Sequence, residues 1–415
     1  MPDQSPRCVV VGAGIVGSCC AWFLQRRGAR VTLIDSELPG QSTSYGNAGC
    51  ISRTSVFPFS VPGVIRKAPA WLVDPAGPLR IRWSQLPHVL PWLYRFWRAG
   101  SAERVRQIVA AQSALMQQVP RDFDDILQGT GSEFLREARG AIILYESEAA
   151  FAADAWKYRE RDRLGLEWRR LSVEELRTLE PGVRLDKGVA LFEPLWQHVI
   201  DPGGLTRRIA DDAVARGARL LRDRVGGIAA HGSEVRVSTR SGRRIVADRV
   251  VLATGVWSNE LLGQVGHRVP LVAKRGYHVM YAQPKVDLNY PVMSASRHVV
   301  LTPMRHGLRV AGTAELAAVD APPDYARADA LVESARHFLP DLGGEGRSQW
   351  MGQRPMTPDS IPVLGSVPGQ PAVLCALGHG HYGLTQGPTT GRIISNLVFG
   401  GDPGLDLSPF SITRF

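Results

Sequence analysis

Residues 8–35 read CVVVGAGIVGSCCAWFLQRRGARVTLID, and the placing of apolar and glycine positions in this stretch decides the fold. Cys8–Gly12 is an unbroken apolar run that suits a central parallel strand buried on both faces. Ile15–Arg27 has helical composition and stops at Gly28, and Val31–Asp35 is a second buried strand. Strand, helix and strand fit into about 28 residues, one βαβ unit. Gly12, Gly14 and Gly17 form a G-x-G-x-x-G turn between the first strand and the helix. The first glycine allows the tight turn, the second lets backbone approach a pyrophosphate, and the third lets helix pack on strand. The helix N-terminus then faces the phosphates. Asp35 lies 18 residues past Gly17, where with Ser36 it is placed to accept ribose hydroxyls. An acid at that point disfavours a 2′-phosphate.

Cys8–Gln25 carries no charge and so approaches the length of a membrane span. Its three glycines and β-branched start argue against one continuous helix, and Arg7 alone supplies a basic flank. The chain has 415 residues, 44% hydrophobic and 21% charged, with a mean hydropathy of −0.09. That excludes disorder, a collagen and a multi-span membrane protein. At ~150 residues per domain the length accommodates two or three domains. The five cysteines (Cys8, Cys19, Cys20, Cys50 and Cys375) are odd in number and form no C-x-x-C. They read as reduced core residues of a cytoplasmic protein. The 49 Lys and Arg against 39 Asp and Glu leave +10, which favours anionic partners. The arginines are spread along the chain, as on a solvated basic surface, and no nucleic-acid partner is expected.

Further along, a helix is expected from about Pro91 to Gln128 with a break near Pro120, and strands at Gly140–Ser147 and Lys187–Pro194. In Ser172–Pro181 a serine three residues before Glu175 forms a capping box. Asp201–Leu220 reads as a helix with Pro202 in its first turn. Short strands fill Glu234–Gly255 with a Ser-Gly-Arg hairpin turn, and strand-rich sequence runs from Val269 to Glu315. The stretch from Val56 to Arg98 stands apart, with seven prolines, four tryptophans (Trp71, Trp83, Trp92 and Trp97) and six Lys or Arg against one acid. Tryptophan beside basic residues suits peripheral contact with an anionic bilayer. Packing of the same tryptophans inside a domain-wrapping insertion is the other reading.

Two more motifs bear on chemistry. VVLATG (Val250–Gly255) is a buried strand ending in Thr254 and Gly255, on its own an ordinary strand exit; in two-domain flavoproteins the same pattern brings backbone near the dinucleotide again, and beside the first motif it favours FAD over NAD. LGHGHYGLTQGPTTGR (Leu377–Arg392) places Gly378, Gly380 and Gly383 ahead of the last helix. Glycines before a helix N-terminus can aim N–H groups and a positive dipole at one end of a ligand. A sharp turn is the plain alternative. His379 and His381 form H-x-H, too few ligands for a metal site, and no metal is expected.

The chain resembles the D-amino-acid oxidase superfamily of FAD-dependent oxidoreductases, and within it the bacterial D-amino acid dehydrogenases. GAGIVG, STSYGNAGCIS (Ser42–Ser52), KRGYHVM (Lys274–Met280), AGTAELAAVD (Ala311–Asp320), GQRPMTPDSIPVLG and LGHGHYG match in family order across essentially the whole chain. The resemblance implies an α/β fold. A Rossmann-like FAD-binding domain (1–57, 198–268 and 345–415) interleaves with an α+β substrate domain on an antiparallel sheet (58–197 and 269–344). It implies that Gly12, Gly14, Gly17 and Asp35 hold the ADP half of FAD, and that Ser42, Ser44, Asn47 and Gly49 run along pyrophosphate and flavin. Gly378, Gly380 and Gly383, with Leu384 and Thr385, would border the isoalloxazine. Arg354 matches the arginine that clamps the substrate carboxylate, and a planar, permanently charged fork is the best partner for one. Tyr277 would line the same pocket and hydrogen-bond the carboxylate. His379 could accept a proton.

The implied activity is oxidative deamination of D-amino acids, D-proline or hydroxy-D-proline among them. A neutral amine lends its lone pair while the Cα hydrogen leaves as hydride to flavin N5, and the imine hydrolyses to a 2-oxo acid. Electrons would pass to a quinone-type acceptor, at the inner face of the cell membrane if residues 56–98 dock there. Relatives of the sarcosine-oxidase kind tether flavin through a cysteine before the T-P-D run. Gly352 stands there, so non-covalent FAD is expected. Cys50 and Gln197–Gly204 depart from the pattern and bear on the substrate side chain. An oxygen-using oxidase of glycine or sarcosine, a flavoprotein acting on modified tRNA and a non-enzymatic dinucleotide-binding regulator are the competing readings.

Overall fold

The structure, a computed structural model, describes residues 5–63, 79–82, 85–232 and 234–415. Trp71 and Trp83 lie outside the described residues. A six-stranded sheet runs in the order Arg219–Arg222, Arg30–Asp35, Arg7–Val11, Arg249–Leu252, Gln370–Leu377, Val363–Val367. The first five strands are parallel, and Val363–Val367 pairs antiparallel at the edge. Val10 and Leu33 pack under the helices Ile15–Arg26 and Pro202–Ala215. Val9 and Val11 pack under a three-stranded meander of Val225–His231, Glu234–Thr239 and Arg244–Ala247. With both faces covered, successive residues must all be apolar, which is why the opening run has no alternation.

The glycine turn behaves as its spacing requires. Gly12 has φ +104°, and a Cβ there would lie 2.4 Å from the Ala253 carbonyl oxygen. A Cβ on Gly17 would lie 1.8 Å from the Gly12 carbonyl oxygen, so helix Ile15–Arg26 can begin at the strand's end only with glycine in its first turn. The uncharged stretch is thus a strand and a separate helix. Among the described residues no helix is long and apolar enough to cross a membrane. All five cysteines are free.

The second large sheet has nine strands, among them Val272–Pro284, Gly307–Leu316, Val299–Met304, Ala141–Tyr145 and Val189–Glu193. It is antiparallel except where Val292–Ser294 meets Ala141–Tyr145 and where Leu79–Ile81 meets Gly307–Leu316. Its edge ribbon pairs Val272–Pro284 with Gly344–Met356 along almost their whole length. Residues 345–356 therefore belong to this sheet, and the boundary expected at 345 falls inside one of its strands.

Two helix expectations are corrected. Leu86–Ala99 and Ala102–Gly129 are separate helices, parted at Gly100 and Ser101. Ser101 caps the second by accepting from the Arg104 N–H. Pro120 sits inside that helix without ending it. It removes one backbone bond, but Val119, Phe123, Ile126 and Leu127 hold the helix in the core. Pro202–Ala215 stops short of Leu220 because Arg219–Arg222 is the sheet's edge strand. The capping box of Ser172 and Glu175 forms as read. Trp92 is buried and its indole donates to the Met356 carbonyl, whereas Trp97 is 56% exposed.

A buried ionic knot joins the chain segments around the interior. Glu193 accepts from Arg161 at 2.6 Å, from Thr54 at 2.5 Å and from the Trp196 indole at 2.7 Å. Removing one partner of a buried pair leaves the other charge uncompensated. Glu193→Leu is expected to lower stability by about 3–5 kcal/mol, read as a lower urea midpoint.

Candidate functional site

A cavity of about 1560 Å³ lies between the two large sheets. That exceeds the roughly 300–1,000 Å³ of ordinary small-ligand pockets, as a dinucleotide with a second ligand would require. Its floor is the carboxyl end of the parallel strands, with Gly12, Gly14, Asp35 and Ser36 at one end. Thr254 and Gly255 follow the neighbouring strand into the same wall. Ser42, Ser44 and Asn47 border it from the loop, and Gly378, Gly380 and Gly383, with Leu384 and Thr385, close it. Gly17 and Gly49 stand behind the wall. Gly17 packs on Gly12, and Gly49 approaches the Val199 carbonyl, where a Cβ would lie 2.4 Å away.

Asp35 accepts from the Ala13 N–H at 2.6 Å, which fixes its carboxylate beside the glycine turn. The Ser44 hydroxyl accepts from the Ile15 N–H at 2.9 Å and joins the loop to the same helix start. Helices Ala102–Gly129, Glu148–Arg163, Val173–Leu179 and Pro202–Ala215 begin on Ser or Asp side-chain caps. Ile15–Arg26 and Gly383–Val398, whose first residues line the cavity, have no cap from their N-cap side chain and no acid in the first turn. Both N-termini thus offer a positive dipole end to whatever fills the cavity. One suits a pyrophosphate and the other a ligand edge that gains negative charge.

The opposite wall comes from the edge ribbon. The guanidinium of Arg354 lies flat over Gly276, where a Cβ would sit 2.0 Å from Nη2. Its Nη1 donates to the Thr313 carbonyl at 3.0 Å. Thr313 has φ +55°, an uncommon conformation for a β-branched residue. Burial pushes Arg354 down to about 10. Lys274, directly across from Arg354 in the ribbon, lies over the Phe59 ring at 4.1 Å. Burial first, then Arg354, pushes its ammonium down to about 7.

Tyr277 has other partners than the one expected. Side chains alternate faces along a strand, and Tyr277 pairs with Met351, three positions from Arg354. Tyr277 does border the cavity, as expected, but its ring joins the core on the reverse side of the sheet. The hydroxyl donates to Glu315 at 2.6 Å and accepts from the Asp324 N–H at 3.0 Å. His379 is buried with Nε2 2.9 Å from the Thr390 hydroxyl, and burial pushes it down to about 3. His381 is also pushed down, by burial and by Lys274 and Arg354, and lies 4.5 Å from Phe59 ring to ring. Both imidazoles are neutral at physiological pH. The T-P-D run serves the fold. Thr357 donates to the Ile361 carbonyl, and Asp359 pairs with Arg414 at 2.8 Å.

A family model for FAD dependent oxidoreductases matches residues 7–397. The chain belongs to that family. It is 37% identical over 417 residues to a D-amino-acid oxidase of Bradyrhizobium diazoefficiens, covering 98% of each chain. It is 30% identical over 417 residues to a D-amino acid dehydrogenase of Paramagnetospirillum magneticum, again covering 98% of each. Among solved structures, glycine oxidase from Geobacillus kaustophilus superposes with a TM-score of 0.78 at 23% identity over 100% of both chains. An L-proline dehydrogenase from P. horikoshii gives 0.76 at 20% identity, covering 100% of this chain and 98% of that one. The resemblance read from the motifs, an FAD-dependent oxidoreductase of the D-amino-acid oxidase type, is borne out. The residues present fit FAD, because Gly12 and Gly14 border the cavity without side chains beside Asp35, and the first residues of helices Ile15–Arg26 and Gly383–Val398 line the same space.

Lys274 and Phe59 went unassigned in the sequence, although Lys274 stands inside a quoted motif. The available signal was period two, since Lys274, Gly276 and His278 share a face. Asp35→Ala removes the partner of the Ala13 N–H and a hydrogen-bond acceptor in the cavity wall. Its FAD dissociation constant is expected to rise on the order of 10- to 100-fold, measured by flavin fluorescence on dilution.

Proposed function

We propose that this protein oxidises the Cα–N bond of D-amino acids, with Arg354 holding the substrate carboxylate. The observation that carries the reading is Arg354 itself. It is a half-buried cation with no acid hydrogen-bonded to it among the described residues, facing the cavity that the first residues of helices Ile15–Arg26 and Gly383–Val398 line. The activities for which the two curated relatives are named support the D configuration. When bound, FAD supplies the two-electron acceptor that takes a hydride from the substrate Cα. The chain's own residues do the rest. Arg354 fixes the carboxylate, Gly276 leaves room for its guanidinium, the Thr313 carbonyl fixes Arg354, and the apolar wall around Phe59 and Trp92 excludes water. The substrate amine reacts unprotonated and needs no strong base, which agrees with His379 being neutral and engaged by Thr390. Water then converts the imine to a 2-oxo acid and ammonia.

FAD is held non-covalently in this reading. Gly352 offers no thiol, and burial pushes the Cys50 thiol up to about 12, leaving it un-ionised. Electrons leave to a quinone-type acceptor. Leu90, Tyr94 and Trp97 are exposed on helix Leu86–Ala99 beside Arg95 and Arg98, which supports peripheral contact with the inner face of the cell membrane. Anionic vesicles should retain the protein at low salt, and Trp97→Ser with Tyr94→Ser should weaken that retention. Equal retention of both forms would remove this part of the reading.

The test of the reaction is an anaerobic titration of the bound flavin's visible spectrum with D- and L-amino acids, D-proline and sarcosine. D-isomers alone should bleach it, and slow return of colour in air favours a dehydrogenase over an oxidase. Arg354→Met should keep its flavin and lose on the order of 10²- to 10⁴-fold in kcat/KM. No bleaching by any D-amino acid would overturn the proposal.

A further inference from the structure

Arg354 has a second cation beside it that the proposed reaction does not use. Lys274 and Arg354 are register partners on adjacent antiparallel strands, and both side chains line the cavity. Like charges directly opposite each other in a sheet destabilise it, and burial increases the cost. Ordinarily an acid relieves such a pair. Among the described residues none does. Lys274 makes no hydrogen bond or ion pair, and its contact is the face of Phe59 at 4.1 Å. On its other side it pairs with Leu316, which packs with Ile81 and Val89 in a small apolar cluster. The acid nearest in sequence to that pairing, Glu315, points to the reverse face. There it is bound by Arg82 at 2.7 Å, by Arg275 at 3.3 Å and by Tyr277 at 2.6 Å. The other titratable groups facing the pair are His381 and His278, both pushed down by burial and by neighbouring cations that include Arg354, so both are neutral and supply no negative charge.

We propose that Lys274 and Arg354 form a two-cation clamp that selects substrates bearing a second carboxylate, so that the pocket prefers acidic D-amino acids. The inference rests on Arg354 holding the α-carboxylate and names the side chain that reading leaves open. Arg354 is a rigid fork that saturates one carboxylate in a bidentate pair. Lys274 is a point charge on a flexible stem, steadied over Phe59 by cation–π attraction. A neutral side chain would leave that ammonium dry and unpaired. A carboxylate would pair it and hold it in its charged form.

The holoenzyme tests this in two ways. Binding of malonate, succinate, acetate and propionate is read from the perturbation of flavin absorbance, with no turnover involved. Dicarboxylates should bind more tightly than monocarboxylates, and Lys274→Met should abolish the difference. In steady state, the ratio of kcat/KM for D-aspartate to that for D-alanine should fall on the order of 10- to 100-fold in Lys274→Met, the worth of one charge-assisted hydrogen bond in a dry site. A general loss of activity leaves that ratio unmoved. Lys274→Arg should restore much of it, and flavin content reports that each variant is folded. If Lys274→Met lowers both substrates equally, the lysine shares the α-carboxylate and the proposal is overturned. Malonate binding no tighter than acetate overturns it as well. Should no D-amino acid reduce the flavin, the parent reading fails, while the malonate and acetate comparison still decides the clamp.

Discussion

Everything at the site depends on how closely a helix can approach the end of a strand. At Gly17 the distance available to a Cβ is 1.8 Å from a carbonyl oxygen, so no other residue lets helix Ile15–Arg26 start where it does. That start sets the aim of the helix N-terminus into the cavity. It also places the Ala13 and Ile15 N–H groups where Asp35 and Ser44 take them. The loop carrying Ser44 is thereby pinned against the glycine turn, and the floor of the cavity follows from one steric condition in the first twenty residues.

The opposite wall obeys an electrostatic condition. Arg354, Lys274 and two uncapped helix ends converge on one space, and the nearby acids are spent elsewhere: Glu315 behind the sheet, Glu193 on Arg161, Asp359 on Arg414. Such an imbalance costs free energy that an anionic occupant relieves. Phosphates, an electron-rich ring edge and carboxylates meet the requirement together, and these are the groups that FAD and an amino acid bring. Shape on one wall and charge on the other thus point to the same pair of ligands.

Much of this was legible before any coordinates. The βαβ unit, the capping box at Ser172 and the meander before Val250 each rest on local chemistry, since periodicity, a side-chain cap and a turn act over a few residues. What was not legible depends on distant neighbours. Pro120 reads as a break, but burial of Val119 and Phe123 outweighs one lost backbone bond, and the break falls at Gly100 instead. The resemblance makes Tyr277 a pocket residue that bonds the carboxylate, and it does border the cavity, but its hydroxyl is taken by Glu315 and the Asp324 N–H. Strand alternation and register put its ring behind the sheet. Lys274 has no role legible in the sequence, because its partner across the ribbon is 80 positions later.

The cysteines have a consequence of their own. Burial raises the thiols of Cys8, Cys50 and Cys375 to about 12 and those of Cys19 and Cys20 upward as well. Peroxide attacks the thiolate and not the thiol. A flavoprotein of this family whose reduced cofactor leaks electrons to oxygen generates peroxide within its own cavity, where Cys50 sits. With no thiol ionised at physiological pH, the chain gives that by-product little to react with. The packing that raises these thiols therefore also withholds their sulfurs from that chemistry.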